Sequence, residues 1–454
     1  MADGKEEWGE RGTVDGGTPP YRKLRPGPGR RAEEVAADQR RRLHEAMVEL
    51  VAERGFDAVT VRGLTGRAGV SQATLYAHFT SKDECFRETY DLVIRRAVQR
   101  ALVAHRRASS WQDRIQAGVS ALVDEVALHP NASRLALVDC YSAWPDSLST
   151  MRHTSGLFDA LLLDSVAGGP DGGVALPPWL TRALVAGISW VLRDHLLTGR
   201  DREISGLAKD LVPWALSFLG DGPGEPVGDY ELKRSEPHPR LLADWRPPPD
   251  DRSLLIAAAA RIVAEEGFDQ LSVARIRATA GVPRSSFHAQ FDNPTACFLA
   301  AIEHHARRVS AQVAKAQAGS GDWSEAICQV LAAYCELAKD ERLATMMFVE
   351  IFTPGPEGLR LRSRLVADTA ASFRAAAPAD RRPSAVAAEA SVGAIWTLAY
   401  KEIAAGRAAR MLEISGPLAF IALAPSLGSL GAVEAIRAQH DRGEGPAAAL
   451  ATNG

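Results

Sequence analysis

Cysteine is scarce: five residues in 454 (Cys85, Cys140, Cys297, Cys328 and Cys335), with no CxxC pair among them. An odd count without zinc-ligand spacing argues against a disulfide framework or a structural zinc site, and for buried, reduced thiols in a cytoplasm. Aromatic residues make up 6% of the chain, and no alternating Val/Ile/Thr runs occur, so strands are not expected. No window approaches the roughly 18 consecutive apolar residues of a membrane span, so no membrane partner is expected. The opening MADGKEEWGE is acidic and polar, unlike a signal peptide. The formal net charge is −3, so a nucleic-acid partner must be sought domain by domain. There is no P-loop, no GxGxxG after a strand, no HExxH and no nucleophile elbow. Glu303-His304-His305 sets adjacent histidines on different faces of one helix, a poor metal site. Neither an enzyme nor a cofactor nor a metal is expected.

Alanine and leucine are abundant instead, and 46% of the residues are hydrophobic, a composition that predicts an all-α protein with ample cores. Residues 1–32 are rich in Gly, Pro and charge and read as a disordered basic arm containing YRKLRPGPGRR. Residues 221–250 read as a Pro/Gly-rich linker, and 438–454 as a loose tail. The two blocks between them repeat each other with a period of about 210 residues, which marks a duplicated domain. LVAERGFDAVTV is matched by IVAEEGFDQLSV, Ala68-Gly69-Val70 by Ala280-Gly281-Val282, Cys85-Phe86 by Cys297-Phe298, Gly187 by Gly393 and Trp190 by Trp396.

Within the first block, Leu43, Met47, Leu50 and Val51 recur at helical spacing, and Gly55 ends that helix. Thr60 is placed to N-cap a short helix through Ala68, Gly69 breaks it, and Ser71 N-caps the next, QATLYAHF. SKDE then offers a capping box, with Ser81 as cap and Glu84 reaching back. Two short helices joined at Ala-Gly-Val form a helix-turn-helix. Leu75 and Phe79, four apart, face inward, which leaves Gln72, Thr74, Tyr76 and His78 on the other faces, where a short helix can meet base edges in a major groove.

The run GFDAVTVRGLTGRAGVSQATLYAHFTSKDECF resembles the N-terminal domain of TetR-family transcriptional regulators, through Gly55-Phe56, Thr60-Val61, Ala68 to Ser71, Leu75-Tyr76, His78-Phe79 and Ser81-Lys82. The resemblance implies that Gln72, Ala73 and Thr74 face bases, that Tyr76 and His78 contact phosphates, with Ser71 beside them, that Lys82 adds charge at the start of the following helix, and that Thr60 and Arg62 touch the backbone. It also implies that the basic arm can reach DNA. The expected organisation is two tandem TetR-like units: helix-turn-helix domains at 33–95 and 251–307, the second degenerate, and helical ligand-binding and dimerisation domains at 96–220 and 308–437.

The second copy differs at its outward positions. His288 stands for Tyr76, Gln290 for His78 and Pro294 for Lys82, whereas Phe287 and Phe291 keep the inner face and Asn293-Pro294 keeps a good helix start. From Arg22 to Lys82 there are twelve Lys/Arg against seven Asp/Glu, and from Asp251 to Pro294 five of each. Phosphate neutralisation supplies sequence-independent affinity, so the first copy is the expected DNA reader and the second a scaffold. Arg284, Ser285, Ser286 and His288 form a possible second head, since arginine is the commonest reader of guanine.

In the back halves, Trp111, Tyr141, Trp144 and Trp190 are the large apolar candidates for a ligand pocket in the first copy, and Met346, Met347, Phe348, Trp396 and Tyr400 in the second. The default effector is an apolar or aromatic small molecule. Gly187 and Gly393 permit close helix approach in a dimerisation bundle, formed within one chain as a pseudo-dimer or between two chains as a homodimer. Two functions follow: a sequence-specific, ligand-responsive regulator of transcription, a repressor by the family's mechanism, that binds a double-stranded operator; or a helical interaction or sensor protein that keeps helix-turn-helix relics without binding DNA.

Overall fold

A computed structural model of the chain describes residues 32–143, 158, 176–219, 246–317 and 322–443. Every regular element among the described residues is helical. The arm, nearly all of the linker, Trp144 and residues 444–454 lie outside them. The chain divides into two compact units, one up to Asp91 and one from Leu92 on.

The first unit holds α1 (Ala32–Arg54), α2 (Val61–Ala68), α3 (Gln72–His78) and the beginning of α4 (Lys82–Arg106). Its core is formed by Leu43, Met47, Leu64, Leu75, Phe79, Cys85 and Phe86, all fully buried or nearly so. Thr60 caps α2 by accepting from the Gly63 amide, and Ser71 caps α3 by accepting from the Thr74 amide. Each such cap stabilises a helix start by about 1 kcal/mol. Between them Gly69 adopts φ 64°, ψ 36°, a left-handed conformation that lets the chain reverse within one residue. Ser81 accepts from the Glu84 amide as expected. Glu84 reaches back one residue further than the capping box predicts, to the amide and hydroxyl of Thr80.

The second unit joins α5 (Trp111–Leu128), α6 (Pro130–Arg134), α7 (Cys140–Ala143), α8 (Pro178–Thr198) and α9 (Ala208–Leu216) to the whole second copy. That copy runs α10 (Asp251–Glu266), α11 (Val273–Ala280), α12 (Arg284–Gln290), α13 (Pro294–Gln317), α14 (Trp323–Leu337), α15 (Glu341–Phe348), α16 (Pro356–Ala376), α17 (Ala385–Ala404) and α18 (Ser415–Gly443). The most extensive helix pairing in the chain is α8 against α17, one helix from each copy. Gly187 and Gly393 make it possible. A β-carbon on Gly187 would lie 2.7 Å from the Ala390 carbonyl oxygen and against the Trp214 ring, and one on Gly393 would collide with Trp190. Trp214 Nε1 donates to Ser391 Oγ at 2.9 Å, so the indole's polar edge is satisfied where its face is buried. Trp179 and Phe218 both pack against Phe420 of α18. α8, α9, α17 and α18 thus form a four-helix bundle across the two copies.

The second helix-turn-helix shares one core with its own back half: Leu255, Ile276, Phe287, Phe291 and Phe298 cluster with Val330, Leu337, Leu343 and Met346. The Arg342–Glu265 ion pair, at 3.1 Å, lies on the same junction.

The stretch Ala408–His440 is long and apolar enough to cross a membrane by length and composition, and 44% of its apolar window is buried. It escapes a search for unbroken apolar runs because Pro425 and Gly428 interrupt it, and Gly428, at φ 70°, kinks α18. Leu418, Phe420, Ile421 and Leu423 of this helix are core residues. All five cysteines are buried, and burial pushes the thiols of Cys85, Cys140, Cys297 and Cys335 up to about 12, so they stay protonated at neutral pH.

The glycine crossing makes a stability prediction. Gly393→Ala should lower stability by about 1–3 kcal/mol through overpacking, whereas Gly118→Ala in α5, where an added β-carbon meets nothing within 4 Å, should raise it by about 0.5–1 kcal/mol through helix propensity. Urea midpoints of the two variants provide the comparison, and equal shifts would contradict the packing.

Candidate nucleic-acid interface

The outward face of α3 carries the residues that the sequence singles out. Gln72, Ala73 and Tyr76 are exposed, Thr74 and His78 are half-buried, and Tyr76 is 56% exposed, unusual for a tyrosine in so compact a unit. Ser71 is also exposed, with its hydroxyl 2.9 Å from Thr74 Oγ1. Thr60 and Arg62, at the start of α2, are exposed as well. Leu75 and Phe79 anchor the other face, and Phe79 sits edge-on to His44 at 5.5 Å. α3 therefore presents a short polar ridge on a fixed apolar base, the form a major groove admits.

Two predicted contacts have inward partners. His78 Nε2 lies 3.2 Å from Gln39 Oε1 of α1. Burial and, secondarily, the charge of Arg40 hold its pKa below the usual histidine value. The single N–H of the neutral ring points at Gln39, so a phosphate contact by His78 would have to displace that bond. Lys82 Nζ donates to the Val59 carbonyl at 3.0 Å and lies 4.5 Å from the centre of the Phe56 ring. The lysine ties the start of α4 to the residue before Thr60, and its ammonium keeps further donors for another acceptor.

Arg42 of α1, which local sequence patterns do not single out, holds the turn. It is buried, pairs with Asp38 at 3.0 Å, and donates to the carbonyls of Ala68 and Gly69 at 2.8 and 3.2 Å. It satisfies the C-terminal carbonyls of α2, which a short helix leaves without partners. In the RRR run it reads as one more basic surface residue. The signal that could have found it is the repeat itself, since the second copy has Leu254 at this inward position. A neighbouring pair behaves likewise: His44 Nδ1 is 2.8 Å from Thr89 Oγ1, whose proton goes to the Cys85 carbonyl. His44 Nδ1 is then the donor. Ile256 and Ala301 replace the two in the second copy.

Charge in the first unit is mostly committed to internal pairs. Arg40 pairs with Glu88, Arg41 with Asp38 and Glu45, and Arg67 with Glu49 and Glu53. From Ala32 to Lys82 there are seven Lys/Arg and seven Asp/Glu. The basic excess of the first copy thus lies entirely in Arg22, Lys23, Arg25, Arg30 and Arg31, before the described residues. Arg62 is exposed and makes no ion pair among the described residues.

In the second copy, Gly281 repeats the left-handed turn at φ 71°, and Ser272 caps α11. Asn293 accepts from the Ala296 amide at 2.8 Å, the expected cap before Pro294. Pro283 stands where Ser71 stands and supplies no side-chain cap to α12. Arg284, Ser285 and His288 are exposed and Ser286 is half-buried. Arg252 stacks 4.7 Å from Phe291, as Arg40 stacks on Phe79.

Of the pocket candidates, Tyr141 and Trp190 come together through Arg193, whose guanidinium lies 5.5 and 4.7 Å from their ring centres. Trp111 is half-buried against the same core. In the second copy the rings of Phe348 and Trp396 pack at a tilt, 4.6 Å apart, and line an apolar cavity with Leu331, Phe373 and Met411. Met346 and Met347 belong to the core of the second helix-turn-helix, and Tyr400 packs on Phe352.

Arg42→Leu should destabilise the first unit by about 2 kcal/mol, because it strips two carbonyls and Asp38 of a buried donor. Amide hydrogen exchange in α1 and α2 of the full chain should speed up accordingly, and unchanged protection would contradict the role assigned to Arg42.

A family model described as bacterial regulatory proteins, tetR family, matches residues 43–89 and again 255–301. The HTH-type transcriptional activator FasR of Mycolicibacterium smegmatis is 30% identical over 145 residues, 31% of this chain and 66% of that protein, just short of two thirds of its length. Among solved structures, the fatty acid degradation regulator FadR from Bacillus halodurans aligns at 15% identity and a TM-score of 0.35, over 39% of this chain and 97% of that one. A TetR family transcription regulator from Marinobacter aquaeolei VT8 aligns at 23% identity and a TM-score of 0.32, over 40% and 96%. The tetR-family helix-turn-helix signature is thus present twice in the chain, at the two turns formed by Gly69 and Gly281, as a tandem duplication.

Proposed function

We propose that this protein is a sequence-specific DNA-binding regulator of transcription in which the first helix-turn-helix reads the operator. The observation that carries this reading is the outward ridge of exposed Gln72, Ala73 and Tyr76 with half-buried Thr74, on a capped helix whose opposite face is locked into the core. A relic would have no need to keep a tyrosine 56% exposed there. The basic arm supplies most of the phosphate attraction, since the cations of the folded head are largely paired. The second helix-turn-helix serves as a scaffold: it lacks Tyr76, His78 and Lys82 equivalents and shares its core with the second back half. The α8–α17 bundle fills within one chain the interface that family members form between two, so one chain occupies one asymmetric site. An effector that binds two conformations of the second unit unequally would alter DNA affinity, and a chain that covers a promoter represses it.

DNA selected from random sequence by the full chain, followed by sedimentation of the complex, tests this. One chain per asymmetric site is expected, with Gln72→Ala and Tyr76→Ala each lowering affinity about tenfold or more. Failure to select any sequence would favour the interaction or sensor reading. Transcription in vitro from a promoter bearing the selected site should fall on adding the protein; a rise would replace repression by the activation named for the Mycolicibacterium relative.

The arm has its own signature. Changing Arg22, Lys23, Arg25, Arg30 and Arg31 together to Ala should flatten the dependence of log affinity on log salt by about 0.9 for each phosphate that the arm no longer neutralises. An unchanged slope would remove the arm from the interface.

A further inference from the structure

Two buried arginines in the second unit have no acidic partner among the described residues. Arg193, on α8 of the first copy, is 8% exposed, and Arg362, on α16 of the second, is 3% exposed. Neither makes an ion pair among the described residues. Both guanidinium groups lie against Trp190, at 4.7 and 4.4 Å from its ring centre. Arg362 also lies 4.7 Å from the centre of Phe352. The two converge on one phenol: Arg193 Nη1 donates to Tyr141 Oη at 2.6 Å, and the same tyrosine favours the charged form of Arg362. Arg193 Nη2 and Arg362 Nε remain buried without a hydrogen-bond partner.

This arrangement is costly in an isolated chain. Aromatic faces attract cations but contribute only a fraction of what water gives a guanidinium. Two like charges in one aromatic cage also repel. Desolvation first, then the charge of Arg193, pulls the Arg362 guanidinium down to about 9, so it stays protonated at neutral pH. Buried charges are ordinarily paired, and no anion among the described residues completes this cage.

The structure assigns a ligand site to this junction of the two copies: we propose that Arg193, Arg362 and the Tyr141 hydroxyl bind the oxyanion end, carboxylate or phosphate, of a small amphipathic molecule whose apolar part enters the neighbouring cavity. Trp396 links the two regions. Its ring lies 6.0 Å from Arg362 and packs at a tilt on Phe348, and both aromatics line the cavity with Leu331, Phe373 and Met411. With its proton turned toward the ligand, Tyr141 would add a third donor. Arginine suits the task because its planar fork matches carboxylate and phosphate oxygens. The site occurs once per chain. By the Trp190–Trp396 correspondence, the counterpart of Arg193 in the second copy is Ala399, so the duplication itself made the site, one arginine from each half. Binding there is independent of whether the first helix-turn-helix reads DNA.

Fluorescence titration of the full chain tests the proposal, since Trp190 and Trp396 flank the site. The probes are octanoate, octyl phosphate, octan-1-ol and inorganic phosphate. Octanoate or octyl phosphate should saturate a signal and raise the melting temperature, with octan-1-ol at least tenfold weaker. The stronger of the two anions identifies the head group, and inorganic phosphate should bind more weakly than octyl phosphate. Arg362→Met and Arg193→Met should each weaken the preferred anion tenfold or more and leave octan-1-ol unchanged. The comparison of charged with neutral probes on the unaltered chain stands even if a variant does not fold. Equal affinity for octan-1-ol and the anions, full affinity in a folded Arg362→Met variant, or no saturable binding would each overturn the site.

Discussion

The architecture depends on the close crossing of α8 and α17. Two glycines allow it: Gly187 admits the Trp214 ring and the Ala390 carbonyl, and Gly393 admits the Trp190 ring. Large aromatic side chains fill the space that the missing β-carbons leave, which is how a close helix pair gains dispersion contacts without strain. Everything that distinguishes this chain from two unrelated halves follows from that contact. α9 and α18 complete a bundle around it, the Trp214–Ser391 hydrogen bond fixes its register, and Arg193 is carried to within one aromatic ring of Arg362.

Once the two halves are joined in one chain, they are free to diverge, and the differences lie where a physical role was lost or gained. The first helix-turn-helix keeps a buried polar support, Arg42 with Asp38 and His44 with Thr89, beneath an outward ridge of polar and aromatic groups. The second replaces Arg42, His44 and Thr89 by Leu254, Ile256 and Ala301 and merges its apolar base with the helices behind it. A buried ion pair offers little net stability over a well-packed apolar pairing. Its retention in one copy is explained by precision at the turn, where Arg42 fixes the Ala68 and Gly69 carbonyls directly behind α3.

Much of this was legible in the sequence because it is local. Thr60, Ser71 and Asn293 cap helices within three residues of themselves, and Gly69 and Gly281 mark their turns by a conformation other residues avoid. The inward and outward faces of α3 follow from the spacing of Leu75 and Phe79. Gly187 and Gly393 were also readable as a close approach, within one chain or between two, but the spacing alone does not choose between them. What stayed hidden is non-local. Arg42 acts on carbonyls 26 residues away, Lys82 turns back to Val59, and Arg193 meets Arg362 only after both copies have folded together. The apolar character of α18 was masked by Pro425 and Gly428, which break the run that a simple search follows.

The central claim is that each chain satisfies its own dimerisation surface. Sedimentation equilibrium of the full chain without DNA, over a wide concentration range, tests it most directly. A single species of 48.7 kDa, independent of concentration, is predicted. A species of twice that mass that dissociates on dilution through the α8–α17 surface, and is weakened by Gly393→Ala, would contradict it.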